Sequence, residues 1–81
     1  MGKTNDRRFY ETVAAILQLQ VDDVTDEISP ENTDTWDSLN QINLISALEQ
    51  EFGVTLPIDS LEAVDSVAAL KDLLAQHGVR V

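Results

Sequence analysis

Cysteine is absent from these 81 residues. The chain therefore offers no disulfide, no thiol nucleophile and no thiolate metal site. A single histidine is too few for most zinc sites, which draw several ligands from His and Cys. Three glycines leave no loop of the phosphate-cradling kind. No apolar run approaches the roughly 18 residues of a membrane span. The opening Met1-Gly2-Lys3-Thr4-Asn5-Asp6 lacks the apolar stretch of a signal peptide. Asp6 also stands where a myristoylation signal needs Ser or Thr. A cytoplasmic protein, with no membrane association, is expected. Strand-like alternation of useful length is missing too, which points away from a sheet.

Basic residues are scarce and peripheral. Five Lys and Arg face fifteen Asp and Glu, a formal net charge of -10. Lys3, Arg7, Arg8, Lys71 and Arg80 all lie near the ends, and no base occurs between Phe9 and Leu70. Such a field repels nucleic acid. It attracts and steers a partner that carries a basic patch. Acidity also keeps a small domain soluble.

What is present is helical periodicity, enough for one domain over residues 1–81. Phe9, Val13, Ile16 and Leu17 mark one face of a helix from about Asp6 to Leu19, with Thr4 or Asn5 as its N-cap. A polar stretch from Asp22 to Asp37 follows, anchored by Val21, Val24, Ile28 and Trp36. Loops of that length in small domains are often functional. Leu39, Ile42, Ile45, Leu48 and Phe52 then predict a buried stripe on a helix over Ser38–Phe52, broadened by Leu44 and Ala47. Asn40, Gln41, Asn43, Ser46, Glu49 and Gln50 fall on its other face. Gly53 suits the left-handed residue after the helix. Residues 59–63 allow one short helical turn. Asp65 or Ser66 caps a last helix running to about Gln76, with Val67, Leu70, Leu73 and Leu74 inward. The expected fold is an all-α bundle of three main helices plus one short helix.

Chemistry concentrates at Asp37-Ser38, the head of the second helix. Both residue types are ordinary N-caps, and an acid suits the positive end of the helix dipole. A nucleophilic serine needs a base, and His77 is the sole histidine. No Gly-x-Ser-x-Gly elbow surrounds Ser38. Nor is Asp23 to Asp34 a calcium loop, since Ile28 stands where the sixth position needs glycine and Asp34 where the twelfth needs Glu. What remains is a serine that another enzyme modifies. A hydroxyl at a helix N-terminus is well placed for a phosphodiester, because free N–H groups and the dipole stabilise the anion.

Asp37-Ser38-Leu39, followed by Asn-Leu-Ile-Ser-Ala-Leu-Glu-Gln-Glu-Phe-Gly-Val over 43–54, resembles an acyl carrier protein. Leu56-Pro57 and Val64-Asp65-Ser66-Val67 extend the resemblance, as do Val24-Thr25 and Ser29 upstream. The resemblance implies an acyl-carrier-like bundle, with 4′-phosphopantetheine from coenzyme A attached covalently to Ser38. The arm's thiol then holds acyl intermediates as thioesters for fatty-acid, polyketide or related biosynthesis, which suits a chain without cysteine. It implies no catalytic residue and no metal site in this chain, which acts as a substrate of enzymes and is a monomer. A phosphopantetheinyl transferase is the implied partner, contacted by Asp37 and Leu39. Acyl-transferring or condensing enzymes with basic patches are implied as well. Ile42, Ser46, Ala47, Glu49 and Val64 match positions that face partners or line the acyl cleft.

Departures from the family pattern are local. Pro30, Asp34 and Thr35 replace an apolar residue, a leucine and a glycine, and Trp36 replaces a small residue. Trp36 is expected to be buried, restoring lost packing in the loop. Asn40, Asn43 and Gln50 are neutral where the recognition face is usually acidic, while Asp37 and Glu49 remain. This favours a specialised carrier over a housekeeping fatty-acid one. Two other readings compete. A peptidyl or aminoacyl carrier usually has Gly or His before the serine, so Asp37 argues against it. An acidic helical adaptor without a prosthetic group would bind basic partners through charge alone.

Overall fold

A computed structural model describes residues 4–57 and 64–81. Helix α1 spans Asn5–Leu17, α2 spans Ser38–Phe52 and α3 spans Val67–Gln76, with a lone 3-10 turn at Val21–Asp23. Among the described residues there is no strand. The all-helical expectation therefore holds, and the short helical turn expected at 59–63 lies outside the described residues. No helix among them is long and apolar enough to cross a membrane.

Each helix starts and stops for a local reason. Thr4 is the N-cap of α1, its hydroxyl accepting from the Arg7 N–H at 3.2 Å. The first helix ends at Leu17, two residues earlier than the periodicity suggests. Gln18 adopts the left-handed conformation there, with φ of 58°, and returns its N–H to Ala14. Gly53 closes α2 with φ of 65°, where a Cβ would be strained. Ser66 caps α3, accepting from the Ala69 N–H at 3.1 Å.

The core takes Phe9, Val13 and Leu17 from α1, Leu44, Ile45 and Leu48 from α2, and Val67, Leu70, Leu73 and Leu74 from α3. Trp36, Val24, Leu56, Val64 and Val79 complete it. The expected stripe on α2 needs correction. Leu39 is 67% exposed and Ile42 is 53% exposed, whereas Leu44 is fully buried. At about 100° per residue, the inward face centres on Gln41, Ile45, Leu48 and Phe52. A polar residue occupies the inward position of the first turn, so apolarity alone pointed to the wrong edge. Ile16 and Phe52, expected in the core, pack against it while only partly buried.

Within the long loop, Asn32 gathers several of the bonds that hold its course. Asn32 accepts from the Ser29 N–H at 3.0 Å and from the Thr33 hydroxyl at 2.8 Å, and donates to the Glu27 carbonyl at 2.8 Å. The loop then docks on the start of α3. The Val67 N–H donates to the Ile28 carbonyl at 2.9 Å, and the Ala68 N–H to the Asp26 carbonyl at 3.3 Å. With Ala69 held by Ser66, the first three N–H groups of α3 are satisfied, as a buried helix start requires.

Two cations brace the elements. Arg8 on α1 meets Glu51 at 3.2 Å, donates to the Glu51 carbonyl and lies over the Phe52 ring, 4.9 Å from its centroid. A positive charge there suits the negative end of the α2 dipole. Lys71 on α3 reaches Asp26 at 2.6 Å and the Tyr10 hydroxyl, joining loop, α1 and α3. Burial works against its charge, but the Asp26 carboxylate and the Tyr10 hydroxyl outweigh that and hold its pKa above the ordinary 10.5.

Candidate functional site

The N-terminus of α2 differs from that of α3. Asp37, extended at φ -103° and ψ -175°, is the N-cap, and its carboxylate accepts from the Asn40 N–H at 2.8 Å. The Gln41 N–H closes the first turn on the Asp37 carbonyl at 2.9 Å. Ser38 is therefore the first residue inside the helix rather than its cap. Its side chain is exposed, and no described residue hydrogen-bonds its Oγ. The N–H groups of Ser38 and Leu39 point off the helix end, where an anion is stabilised by them and by the dipole.

An open pocket of about 360 Å³ lies beside that hydroxyl, lined by Pro30, Trp36, Asp37, Ser38, Gln41 and Val64. Trp36 is 3% exposed, so its burial is as expected. Its Nε1 donates to Gln41 Oε1 at 2.5 Å. Gln41 Nε2 in turn donates to the Val64 carbonyl at 3.1 Å. The expectation that Gln41 lies on the outer face is thus corrected. Trp36 and Val64 supply its partners from the loops on either side.

The other residues singled out from the sequence fall in different places. Leu39, Ile42 and Ser46 are exposed on the outer side of α2. Ala47 is half-buried and lies in a separate groove between α1 and α2, with Thr12, Ile16 and Glu51 among its neighbours there. Glu49 is half-buried, and its carboxylate accepts from the Leu56 N–H at 2.8 Å, fixing the chain just after α2. Val64 is buried and lines the pocket beside Ser38.

The neutral amides on α2 are not alike. Asn43 is exposed and donates to Asn40 Oδ1 at 3.0 Å. Asn40 is half-buried, and its Nδ2 donates to the Thr35 carbonyl at 2.7 Å, tying the loop to the helix. An Asp cannot make that bond, so Asn40 has an internal reason to be neutral. Sequence reasoning missed this role and that of Gln41. Both are side-chain bonds to a loop whose course no periodicity reveals.

The residues present suit a phosphodiester on Ser38. The hydroxyl is accessible, its cap duty is taken by Asp37, and unpaired N–H groups lie next to it. A family model described as a phosphopantetheine attachment site matches residues 7–74. That span covers most of α1, the loop, all of α2 and most of α3. Carrier domains of this kind are served by phosphopantetheinyl transferases and by biosynthetic enzymes. The match covers far more than half of the chain, and the chain therefore belongs to the phosphopantetheine attachment family, as a carrier protein whose prosthetic group is 4′-phosphopantetheine.

Proposed function

We propose that Ser38 is the attachment point and that the chain is an acyl carrier serving a specialised pathway. The observation that carries this is the exposed Ser38 hydroxyl at the first position of α2, inside the matched span, with Asp37 rather than Ser38 making the cap bond. The bound group supplies a thiol on a long arm, which holds an acyl group as a thioester. The chain's own part is to present the hydroxyl, to hold the helix end with Asp37, and to offer N–H groups to the phosphate.

Partner enzymes meet the outer side of α2. Leu39 and Ile42 are large apolar side chains left exposed beside Ser38. Exposed apolar residues next to a modification site suit an apolar contact ringed by charge. Asp37 supplies an acid at that edge. Glu49 is engaged with the Leu56 backbone, so its share in recognition is to keep the end of α2 in place. Asn43 and Gln50 leave this face less acidic than a fatty-acid synthase partner would read, which supports the specialised assignment. Asp37 before the serine supports an acyl rather than a peptidyl cargo. The chain performs no chemistry of its own.

Intact mass spectrometry after incubation with coenzyme A, Mg²⁺ and a promiscuous transferase tests the reading. The unaltered chain should gain one phosphopantetheine, and Ser38→Ala none. Uptake by the alanine variant would move the site elsewhere. No uptake by either would overturn Ser38 as the attachment point.

A further inference from the structure

The pocket beside Ser38 has a polar wall on the side facing the core. Gln41 spans it from Trp36 Nε1 at 2.5 Å to the Val64 carbonyl at 3.1 Å, joining two loops 28 residues apart in sequence by the numbering 36 and 64. One helical turn further along α2 are Leu44 and Ile45, both buried, and beyond them Leu48. The amide thus stands between an open, mixed-polarity pocket and an apolar interior. We infer that Gln41 is a specificity-determining gate that keeps the carried group out of the space between α2 and the Val64 segment. The cargo class this implies is short or polar acyl groups, which need no apolar shelter. The inference rests on Ser38 as the attachment point.

The physical case is a matter of unpaired groups. Among the described residues, Gln41 stands between the pocket and Leu44 and Ile45, so a long alkyl chain moving inward past it displaces its side chain. Trp36 is 3% exposed and Val64 is 6% exposed, so the indole N–H and the carbonyl would lose their partner where water has little access. An alkyl chain replaces neither bond, and leaving a buried donor or acceptor unmade is costly. A short or polar group stays in the outer pocket among Pro30, Asp37 and Ser38 and breaks nothing.

The test loads the full chain with butyryl, hexanoyl or decanoyl phosphopantetheine from the matching acyl-coenzyme A, checks each load by intact mass, and measures thermal melting. The unaltered chain should melt within about 1 °C across the series. Trp36→Phe/Gln41→Ala removes both ends of the bond together, so no indole donor is orphaned. Its melting temperature should rise by roughly 5 °C or more from butyryl to decanoyl as the chain enters the opened interior. If circular dichroism finds the double variant unfolded, Gln41→Thr makes the same comparison with a shorter polar side chain. An equal rise in the unaltered chain overturns the gate, and so does a flat series in the variant. Failure to load Ser38 appears in the mass spectrum before any melt, and it overturns the carrier reading and the gate together.

Discussion

Asn40 Nδ2 donates to the Thr35 carbonyl at 2.7 Å, so a residue on the exposed helix of a carrier is bound to the loop that precedes it. Asn40→Asp removes that donor and sets a carboxylate against a carbonyl. A lost bond to a part-buried carbonyl costs about 1–3 kcal/mol. An added acid in the first turn returns only about 0.3–1 kcal/mol through the dipole. The loss is the larger effect, and a net destabilisation of about 1 kcal/mol is expected from urea melts. An unchanged midpoint would mean the bond contributes nothing.

Restoring acidity to the partner face should therefore use Asn43 and Gln50 alone. Asn43→Glu/Gln50→Glu is expected to leave stability within about 0.5 kcal/mol, because both sites are exposed. With the arm loaded, turnover by a fatty-acid acyltransferase that reads acidic helices should rise by up to about an order of magnitude at low salt, and the gain should shrink as salt increases. Turnover already equal to that of a fatty-acid carrier, with no gain in the variant, would end the specialised assignment.

Capping separates Asp37 from Ser38. Asp37→Ala should cost about 1 kcal/mol, since it removes the side chain that holds the Asn40 N–H. Ser38→Ala should move stability by less than about 0.5 kcal/mol, because Ser38 is not the cap. Denaturant midpoints of the two variants decide the point. Equal losses would place part of the cap on Ser38.

Two α2 residues from the same expected stripe should behave oppositely. Leu48 is fully buried, and Leu48→Ala should cost about 2–5 kcal/mol. Ile42 is 53% exposed, and Ile42→Ala should cost under about 1 kcal/mol while weakening partner contact. Similar losses of stability at both sites would contradict the face assigned to α2.

Lys71 gives the fold an alkaline limit. Its folded pKa is raised, so its pairing contributes fully below the unfolded value near 10.5 and is lost as pH climbs through the folded value. Its side chain is 21% exposed and that of Asp26 60%, which keeps the contribution under about 1 kcal/mol. The gap between melts of the unaltered chain and of Lys71→Met should be constant below pH 10.5 and narrow as pH rises beyond it. A gap that persists or widens at high pH would reverse the sign.

The helices were legible because period and punctuation agree. Phe9, Val13 and Leu17 recur at helical spacing, Gly53 falls where a left-handed residue is required, and Ser66 stands before an apolar run. Trp36 was legible from what its neighbours lack, since Pro30 and Asp34 offer no anchor and a large apolar group does. Ile42 was misplaced because Gln41 holds the inward position, and a polar residue inside is invisible to an apolar pattern. Asn32 was missed altogether. Its partners are the Ser29 N–H, the Glu27 carbonyl and the Thr33 hydroxyl, and those converge only when the loop has its fold.

The Asp26 and Ile28 carbonyls accept from Ala68 and Val67, residues synthesised some forty positions later. Neither the loop nor the start of the last helix has its hydrogen bonds complete without the other. Those two bonds of the loop therefore form only once Val67 and Ala68 have been made, however early α1 and α2 come together. A chain ended before Val67 should show fast amide exchange throughout 25–33 as well as losing α3.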